Sequence, residues 1–541
     1  MLAPKQSVSR DRNYTLTFLA VAILGLLAVG RFFNLSADFP IGLTSYGATY
    51  TDEGWWSRNA VALVREGNWF IDDGYNTILN LPTVPLLQAL WFKAFGVSQV
   101  AARALTATCS VMVSILVYAI ARRELKPALA WLAPFIILSS YPVFAFSRIA
   151  LLEMPMMVLI LLSLWLVTSP TMCTQEPLAT KSVRTKEGLR SQLSSELMLV
   201  VSAVLAVLAI LAKTTALFVP PMLLALLVLQ PGSPRKKVHQ GTIWLLSFLT
   251  AYGLYHAFST QGAVESYSYF STYNVTAKFH DSLFSAIKGP LRVFKYCAEV
   301  FPMLFSALII SVVTLAPHKR YRSSTLFQIV VLWSVLFLGG LSTSNYAAPR
   351  YLIVLIVPIS LVIPLAIGHF LQRRQLTLFE QINAKPNLKR AAFFMLVPLS
   401  VLLSLFRISG YLLAPDYSFV SMAHQVEHTV EAAPDHSPVL MGHFADSLAL
   451  VTDDIKAIND EMGYQPLSYR IETFNPGYYI CVGEMKPPIA ETLEDYYSVS
   501  LIKTFDVYQN YDFGEPVFFY QLTPKQPLPV GALTSYEKPS P

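Results

Sequence analysis

Apolar segments about as long as a membrane span recur along this chain, and they limit what it can fold into. A helix needs roughly 20 mostly apolar residues to cross the hydrocarbon core of a bilayer. Segments of this kind fall near residues 14–33, 98–120, 128–146, 149–168, 197–212, 214–230, 241–259, 295–316, 324–342, 351–371 and 391–413. Only 14% of the 541 residues are charged, whereas a soluble protein carries about 25%. The sequence therefore predicts an α-helical polytopic membrane protein with about eleven transmembrane helices; a soluble enzyme, a disordered chain and a nucleic-acid binder are excluded.

Basic residues alternate from loop to loop, and this alternation predicts the orientation in the membrane. Cytoplasmic loops are enriched in Lys and Arg, and every second loop of this chain is basic. These loops carry Arg122, Arg123 and Lys126; Lys181, Arg184, Lys186 and Arg190; Arg235, Lys236 and Lys237; Lys319, Arg320 and Arg322; and Arg373, Arg374, Lys385, Lys389 and Arg390. The pattern predicts a cytoplasmic N-terminus, a retained first helix and an extracytoplasmic C-terminus. Most of the net charge of +6 therefore marks topology rather than a binding site.

Three longer regions are predicted to face the outside. They are residues 34–97, 260–294 and 414–541. The last has a soluble composition, in which helical and Pro/Gly stretches separate short β-rich runs. These runs are Val439–Met441, Tyr478–Cys481 and Val517–Tyr520. We therefore expect a membrane domain over residues 1–413, with external juxtamembrane helices in its first loop, and a small extracytoplasmic α/β domain over residues 414–541.

Five basic residues break the topology rule, because they fall in the first external loop or at the outer ends of spans. They are Arg58, Arg103, Arg148, Lys213 and Arg350. Snorkelling to lipid headgroups explains a single such residue. A group of five near one leaflet instead indicates an anion site, for example for a lipid phosphate, because Arg and Lys are the usual partners of phosphate oxygens.

An acidic residue lies in the same region. Glu153 follows Arg148 by five residues, inside an apolar span. An acid there is costly and is by default a candidate for a functional site with a nearby partner. The alternative is a structural ion pair with Arg148 or Arg103.

The first external loop carries an acidic pair, Asp52 and Glu53, at the start of a predicted helix that ends near Gly67. Trp56, Ala60, Leu63 and Val64 form an apolar stripe, which favours a helix that lies flat on the outer membrane surface. Local physics offers a simple explanation for the acids, since carboxylates in a first turn complement the helix dipole. Their functional interpretation depends on further motifs.

The order of these motifs resembles the glycosyltransferase C superfamily, and most closely the group of protein O-mannosyltransferases and lipid A aminoarabinose transferases. The motifs that carry the resemblance are Asp52-Glu53, Gly67-Asn68-Trp69, Asn80 to Gly96, Ala101-Ala102-Arg103, Arg148 to Glu153, Leu211-Ala212-Lys213 and Arg350-Tyr351-Leu352. The resemblance as a whole covers about residues 14–370. Where relatives read Lys-Pro-Pro, this chain has Asn80-Leu81-Pro82, so one cation expected at the donor phosphate is missing.

The resemblance implies a polyprenyl-phosphate-linked sugar as donor and transfer with inversion on the extracytoplasmic face. It makes Asp52 the candidate base, and Glu53 is expected to position the acceptor or share that role. Donor-phosphate binding is expected from Arg58, Arg103, Arg148, Lys213, Arg350 and Tyr351, with Glu153 as their orienting partner. The acceptor stays open between a lipid, a glycan and a protein. We further expect membrane lipids as partners, a monomer, and the plasma membrane of a bacterium.

A metal site and a transporter are the alternatives to this interpretation. A divalent metal is conceivable at His256 and His280, but their spacing matches no compact zinc motif; no cofactor is certain. His424 and His428, followed by His436 and His443, are more typical of a polar helix face. A lipid or anion transporter would also need charges in the membrane, although transporters are typically built from repeats with sites at the midplane.

Overall fold

The computed structural model describes residues 6–39, 52–169, 186–259, 283–344, 348–372, 388–508 and 516–526. Helices form nearly all of this part up to residue 431. In chain order they are α1 (Gln6–Val29), α2 (Asp52–Glu66), α3 (Thr83–Phe95), α4 (Gln99–Ala121), α5 (Pro127–Ala130), α6 (Leu132–Ser139), α7 (Tyr141–Phe146), α8 (Glu153–Val167), α9 (Lys186–Ala212), α10 (Val219–Leu229), α11 (Pro234–Ser259), α12 (Leu283–Val300), α13 (Pro302–Leu315), α14 (Lys319–Arg322), α15 (Thr325–Ser342), α16 (Ile356–Gln372), α17 (Leu388–Leu413) and α18 (Ser418–Glu431). Four 3₁₀ turns add to them, at Gly30–Phe32, Thr77–Leu79, Thr214–Phe218 and Pro349–Leu355.

Five helices in the described part of the chain are long and apolar enough to cross a membrane. The number rises to six if Lys288–Val300 and Pro302–Leu315, which meet at 116°, count as one bent span. Four shorter apolar helices, of 10–17 residues each, cover Thr17–Phe32, Pro127–Ser139, Glu153–Val167 and Thr214–Leu229. The prediction of a helical polytopic membrane protein is confirmed, whereas the count of eleven spans stays a prediction.

One predicted span shows why the lengths differ from expectation. Residues 128–146 are divided among α5, α6 and α7 rather than forming one rod. Pro142 stands in the first turn of α7, where its missing N–H cannot continue the hydrogen-bond ladder of the preceding helix. A hydropathy average counts such a segment as one span because it does not register the break.

The C-terminal part contains one five-stranded mixed sheet. Its strands are β1 (Val439–Met441), β2 (Lys456–Ile458), β3 (Tyr478–Val482), β4 (Tyr497–Asp506) and β5 (Pro516–Pro524). They lie in the order β2-β1-β3-β5-β4; β1 pairs in parallel with β2 and β3, and β5 pairs antiparallel with β3 and β4. The three β-rich runs read from the sequence lie within β1, β3 and β5.

Both faces of this sheet are covered. Side chains of α18, such as Met422 and Val426, share one core with Leu440 and Ile480 of the sheet. The other face packs on α19 (Leu467–Phe474) and α20 (Pro487–Tyr496). The arrangement is the α/β architecture expected for this part of the chain: alternate residues of a strand point to opposite faces, and both sets are buried in β1 and nearly so in β3.

Helix α2 packs against α3 of the bundle and against the C-terminal part; that it lies flat on the outer membrane surface stays a prediction. Ala60 is fully buried and shares a small core with Phe92 of α3, Ala101 of α4 and Leu450. The helix ends where expected, at Gly67, whose φ of +74° suits glycine. Of the stripe, Ala60 is buried against protein, whereas Trp56, Leu63 and Val64 are half-buried.

A buried carboxylate ties the end of the first apolar segment to α18. Asp38 accepts hydrogen bonds from the backbone N–H groups of Ser418 (2.9 Å) and Phe419 (3.2 Å) and from the Ser418 hydroxyl (2.5 Å). These N–H groups belong to the first turn of α18 and have no partner within the helix. A residue 380 positions away therefore caps the helix that leads into the C-terminal part.

Candidate active site

Four charged side chains from four separate segments meet at one end of the helix bundle. Arg350 Nη1 lies 2.7 Å from Asp52 Oδ2, and Lys213 Nζ lies 2.5 Å from Glu153 Oε1. Arg350 Nε also approaches Glu153 Oε1, at 3.8 Å. Asp52, Glu153 and Lys213 are buried, and Arg350 exposes 12% of its side chain. We call these four residues the charged cluster.

An aromatic ring adjoins the two cations of the charged cluster. Lys213 Nζ lies 4.2 Å from the centre of the Tyr351 ring, and the Arg350 guanidinium carbon lies 5.4 Å from it. At these distances the ring face attracts both cations. Tyr351 therefore helps to hold Lys213 and Arg350 side by side.

Each member of the charged cluster stands where a helix begins or ends. Asp52 opens α2 and Glu153 opens α8, positions at which a carboxylate complements the helix dipole. Lys213 follows α9 with extended backbone (φ −162°, ψ 132°), immediately before the turn at residues 214–218. Arg350 lies in the first turn of residues 349–355. Breaks in apolar segments thus place charges at one end of the bundle.

Electrostatics in the charged cluster are nearly balanced. Two carboxylates face two cations, so the formal charges cancel when no ligand is bound. Burial raises the pKa of Asp52, and the positive charges of Arg350 and Lys213 oppose that increase. A buried carboxylate with an elevated pKa is a better proton acceptor than one in water.

Glu53 points to a different set of partners from its neighbour Asp52. Arg103 donates to both of its oxygens, at 2.8 and 2.5 Å, and the backbone N–H of Ala150 donates to Oε1 at 2.8 Å. Arg103 in turn donates to the carbonyls of Leu35 and Ala37. Both Glu53 and Arg103 are therefore engaged in joining the first loop to α4 and to the segment before α8, away from the charged cluster.

Arg58 joins α2 to the C-terminal part. Its guanidinium binds Asp73 through two nitrogens, at 3.2 and 2.5 Å, and its Nε lies 3.2 Å from Asp446 Oδ1. It also donates to the Tyr75 carbonyl and stacks on the Tyr75 ring, 4.9 Å from its centre. Burial raises the pKa of Asp446 to about 6, against the effect of Arg58. Two carboxylates thus surround Arg58, which has little capacity left for a phosphate.

Arg148 is directed at backbone carbonyls. It donates to the carbonyls of Arg31 and Asn34, both at 2.7 Å, and its guanidinium lies 5.1 Å from the rings of Phe144 and Tyr411. The alternative for Glu153, a structural ion pair with Arg148 or Arg103, does not hold, because its partners are Lys213 and Arg350. Of the five basic residues singled out, two lie in the charged cluster and three have other partners.

The candidate metal ligands do not form a site in the described part of the chain. No group of three or more His, Cys, Asp or Glu side chains there is placed to hold a metal ion. His256 lies on an exposed turn of α11, with its ring against that of Tyr252, and His280 lies outside the described residues.

Residues that the sequence interpretation missed come from the C-terminal part. Asp446 follows β1, and so does His443, which lies on the loop directly after the strand rather than on a polar helix face. The Trp55 indole N–H donates to the His443 carbonyl at 3.0 Å, and the two rings meet edge to face at 5.0 Å. Nothing local marks these positions, because their partners are almost 400 residues away.

A cavity of about 470 Å³ lies beside α2, between that helix and the β2 edge of the sheet. Arg58, Arg65 and Asp446 line it, whereas no member of the charged cluster does. It is therefore separate from the charged cluster.

A polytopic helical bundle with charged residues clustered at one end, and a small α/β sheet over that end, defines the class: a membrane protein with the glycosyltransferase C fold. Comparisons with known proteins agree. Residues 80–175 match the family described as dolichyl-phosphate-mannose-protein mannosyltransferase. A comparison with curated proteins gives no match.

Solved structures with this fold resemble nearly the whole chain. ArnT from Cupriavidus metallidurans in the apo state is 14% identical, with a TM-score of 0.56 over 94% of this chain and 98% of that one. The same protein bound to undecaprenyl phosphate is 14% identical, with a TM-score of 0.54 over 92% of this chain and 97% of that one. A third structure is the archaeal oligosaccharyltransferase AglB from Archaeoglobus fulgidus in complex with an inhibitory peptide and a dolichol-phosphate. It is 12% identical, with a TM-score of 0.53 over 94% of this chain and 74% of that one. The resemblance inferred from the motifs is confirmed.

Proposed function

We propose that this protein is an integral membrane glycosyltransferase that moves a sugar from a polyprenyl-phosphate donor to an acceptor, with inversion at the anomeric carbon. The observation that carries the proposal is the charged cluster, in which a buried carboxylate and two cations converge at the end of the bundle. The fold supports it, since solved structures that share this fold bind undecaprenyl phosphate or dolichol-phosphate.

In this proposal Lys213 and Arg350 bind the donor phosphate. The donor is a phosphodiester with one negative charge, and cleavage of its sugar–oxygen bond leaves a phosphomonoester with nearly two. Two fixed cations stabilise the additional charge more than they stabilise the ground state, which lowers the barrier. They also stand in for the cation that Asn80 does not supply. Glu153 keeps Lys213 charged and oriented.

Asp52 acts as the base. When the donor phosphate binds Arg350, the ion pair between Arg350 and Asp52 weakens and the carboxylate becomes available to the acceptor. The acceptor oxygen bonds to the anomeric carbon, the bond from that carbon to the phosphate oxygen breaks, and its electron pair passes to the phosphate. The acceptor proton passes to Asp52. Polyprenyl phosphate and the glycosylated acceptor are the products.

The finer assignments follow from topology and resemblance. We propose about eleven spans in all, a cytoplasmic N-terminus, and the inner membrane of a bacterium as the location. The charged cluster and the α/β domain of residues 414–541 then face the extracytoplasmic side, where the acceptor is a lipid, a glycan or a protein. The protein acts as a monomer.

The test is transfer by the purified protein in vesicles. Undecaprenyl phosphates that carry different labelled hexoses and pentoses are supplied together with membrane vesicles as acceptors, with and without a chelator to establish whether a divalent metal takes part. We expect Asp52→Asn to lower the transfer rate by a factor of about 100 to 10,000 while the protein stays folded. Asp72→Asn is the matched control, because Asp72 is an exposed carboxylate of the same loop.

A second arm measures donor binding. Arg350→Gln should weaken binding of undecaprenyl phosphate, whereas Arg322→Gln, an exposed residue of α14, should not. Full activity of Asp52→Asn would refute the assignment of the base. Movement of the lipid across the bilayer with no sugar transfer from any donor would instead establish a transporter.

A further inference from the structure

His443 belongs to the C-terminal part but lies beside the first turn of α2. Trp55, three residues after Asp52, holds it in two ways: the indole N–H donates to its carbonyl, and the two rings meet edge to face. Asp52 and His443 are near enough that each affects the pKa of the other. The transfer chemistry described above makes no use of this imidazole.

The position of His443 is fixed by the strand that precedes it. β1 ends at Met441, and Gly442 passes so close to β3 that a Cβ atom there would lie 2.1 Å from the Ile480 carbonyl oxygen. Only glycine allows this approach. The loop that carries His443 is therefore held against a rigid sheet, as a binding residue requires.

Two charged residues lie beside the ring. Glu461 Oε2 lies 3.3 Å from Nδ1 of His443, and Lys486 binds the other oxygen of Glu461. We place the Nδ1 proton on the side of Glu461, which leaves Nε2 to accept a hydrogen bond. Burial and Lys486 lower the pKa of His443, against the effects of Glu461 and Asp52, which favours the neutral ring. About a third of the side chain, 34%, stays exposed and is open to a ligand.

We propose that His443 binds the acceptor: Nε2 accepts a hydrogen bond from a hydroxyl group of the acceptor and holds the molecule between Trp55 and the charged cluster. This inference rests on the proposed glycosyltransferase function and adds the substrate class, a hydroxyl-bearing acceptor. A neutral imidazole suits a hydroxyl, which can donate to Nε2. An anionic phosphate acceptor would instead need a cation at this position.

The C-terminal part thereby contributes to the acceptor side, while the bundle holds the donor. Asp52 stands between the two: it pairs with Arg350 of the bundle, and it opens the helix whose Trp55 contacts His443. Because α2 carries both Asp52 and Trp55, movement of the sheet relative to α2 would change the distance from acceptor to base.

The experiment compares kinetics for the two substrates in the full-length protein. The active labelled undecaprenyl-phosphate sugar is the donor, and vesicles from cells that lack the protein are the acceptor. We expect His443→Ala to raise the apparent KM for the vesicles roughly tenfold to a hundredfold, the loss expected for one hydrogen bond to a bound substrate, with the donor KM unchanged. The backbone carbonyl that Trp55 contacts is kept in this variant, so α2 stays in place.

Two further variants separate binding from structure. His443→Gln places an amide oxygen near the position of Nε2 and should restore most of the acceptor affinity. His424→Ala removes an exposed histidine of α18 and should leave both KM values unchanged. An unaltered acceptor KM in His443→Ala, or equal rises in the acceptor KM and the donor KM, would overturn the assignment of His443. Sugar transfer by the wild-type protein would still support the proposed function in that case.

The product itself gives an independent check on the substrate class. A sugar joined to a hydroxyl forms a glycoside, which resists mild acid, whereas a sugar joined to a phosphate is released by it. An acid-labile product would refute the hydroxyl acceptor but not sugar transfer. Absence of transfer by the wild-type protein from every donor would remove both proposals together.

Discussion

Gly54 of α2 packs tightly against the C-terminal part, and its substitution by alanine tests whether that contact sets the position of Asp52. A Cβ atom at residue 54 would lie 2.2 Å from the backbone nitrogen of Ser447 and 2.3 Å from the carbonyl carbon of Asp446. Favourable separations of such atoms are about 3.5–4.0 Å. Since the opposing atoms are backbone, no side chain can rotate away, and the two segments must separate by more than about 1 Å.

The expected cost of Gly54→Ala has a structural and a functional part. Overpacking of this kind costs about 1–3 kcal/mol of folding free energy, and the roughly 1 kcal/mol that alanine gains in helix propensity offsets only part of it. The same shift stretches the hydrogen bond from Gly54 N–H to Ser447 Oγ and the ion pair of Arg58 with Asp446, each 3.2 Å long. A displacement of about 1 Å at a catalytic group can lower the rate about a hundredfold.

The assay is sugar transfer measured beside thermal unfolding of the same preparation. Gly54→Ala should lower kcat by about a hundredfold while the protein remains folded at the assay temperature. Gly410→Ala is the matched control, because a Cβ atom at that helical position meets nothing within 4 Å. If the kcat and melting temperature of Gly54→Ala equal those of the wild-type protein, the position of α2 does not depend on the close contact at Gly54, and the prediction is refuted.

Three further predictions concern buried carboxylates. Asp38→Ala removes the cap of α18 and should lower the free energy of unfolding by about 1–2 kcal/mol without changing the donor KM; an unchanged melting temperature would contradict it. Glu53→Gln leaves Arg103 buried without its counter-charge and should destabilise by about 3–5 kcal/mol, measured by chemical denaturation; stability equal to that of Asp52→Asn would argue against it. Asp460 is buried, accepts a hydrogen bond from the Tyr479 hydroxyl at 2.8 Å, and has its pKa raised to about 6 by burial. Because its folded-state pKa lies above the unfolded value of about 3.9, the folded state binds the proton more tightly. The wild-type protein should therefore lose stability relative to Asp460→Asn as the pH rises from about 4 to about 6. Parallel plots of the free energy of unfolding against pH for the two proteins would refute this.

Much of the candidate site could be predicted from the sequence because charges in apolar segments are rare. Glu153, Lys213 and Arg350 stand out for this reason alone, since a charge at the end of a span is costly unless it has a partner or a function. Three of the strands were also visible, as short apolar runs in a segment of soluble composition. These features depend on local composition, which does not change when the chain folds.

Pairing was not predictable in the same way. Asp52 and Glu53 are neighbours in the sequence, yet consecutive residues of a helix point about 100° apart. One therefore meets Arg350 and the other Arg103. Arg148, which resembled a phosphate ligand by position, is directed at two backbone carbonyls instead. Which cation remains available to a donor depends on the directions in which the side chains point, and these cannot be inferred from a sequence pattern.

The sequence by itself determined that the chain is a helical membrane protein with rare charges at the ends of apolar segments, because burying apolar residues and exposing charged ones is a local requirement. Only the tertiary structure decided which charges meet, and it placed His443 and Asp446 of the C-terminal part against α2. These contacts join residues almost 400 positions apart. They depend on how the bundle and the sheet pack, and that packing is a property of the whole chain.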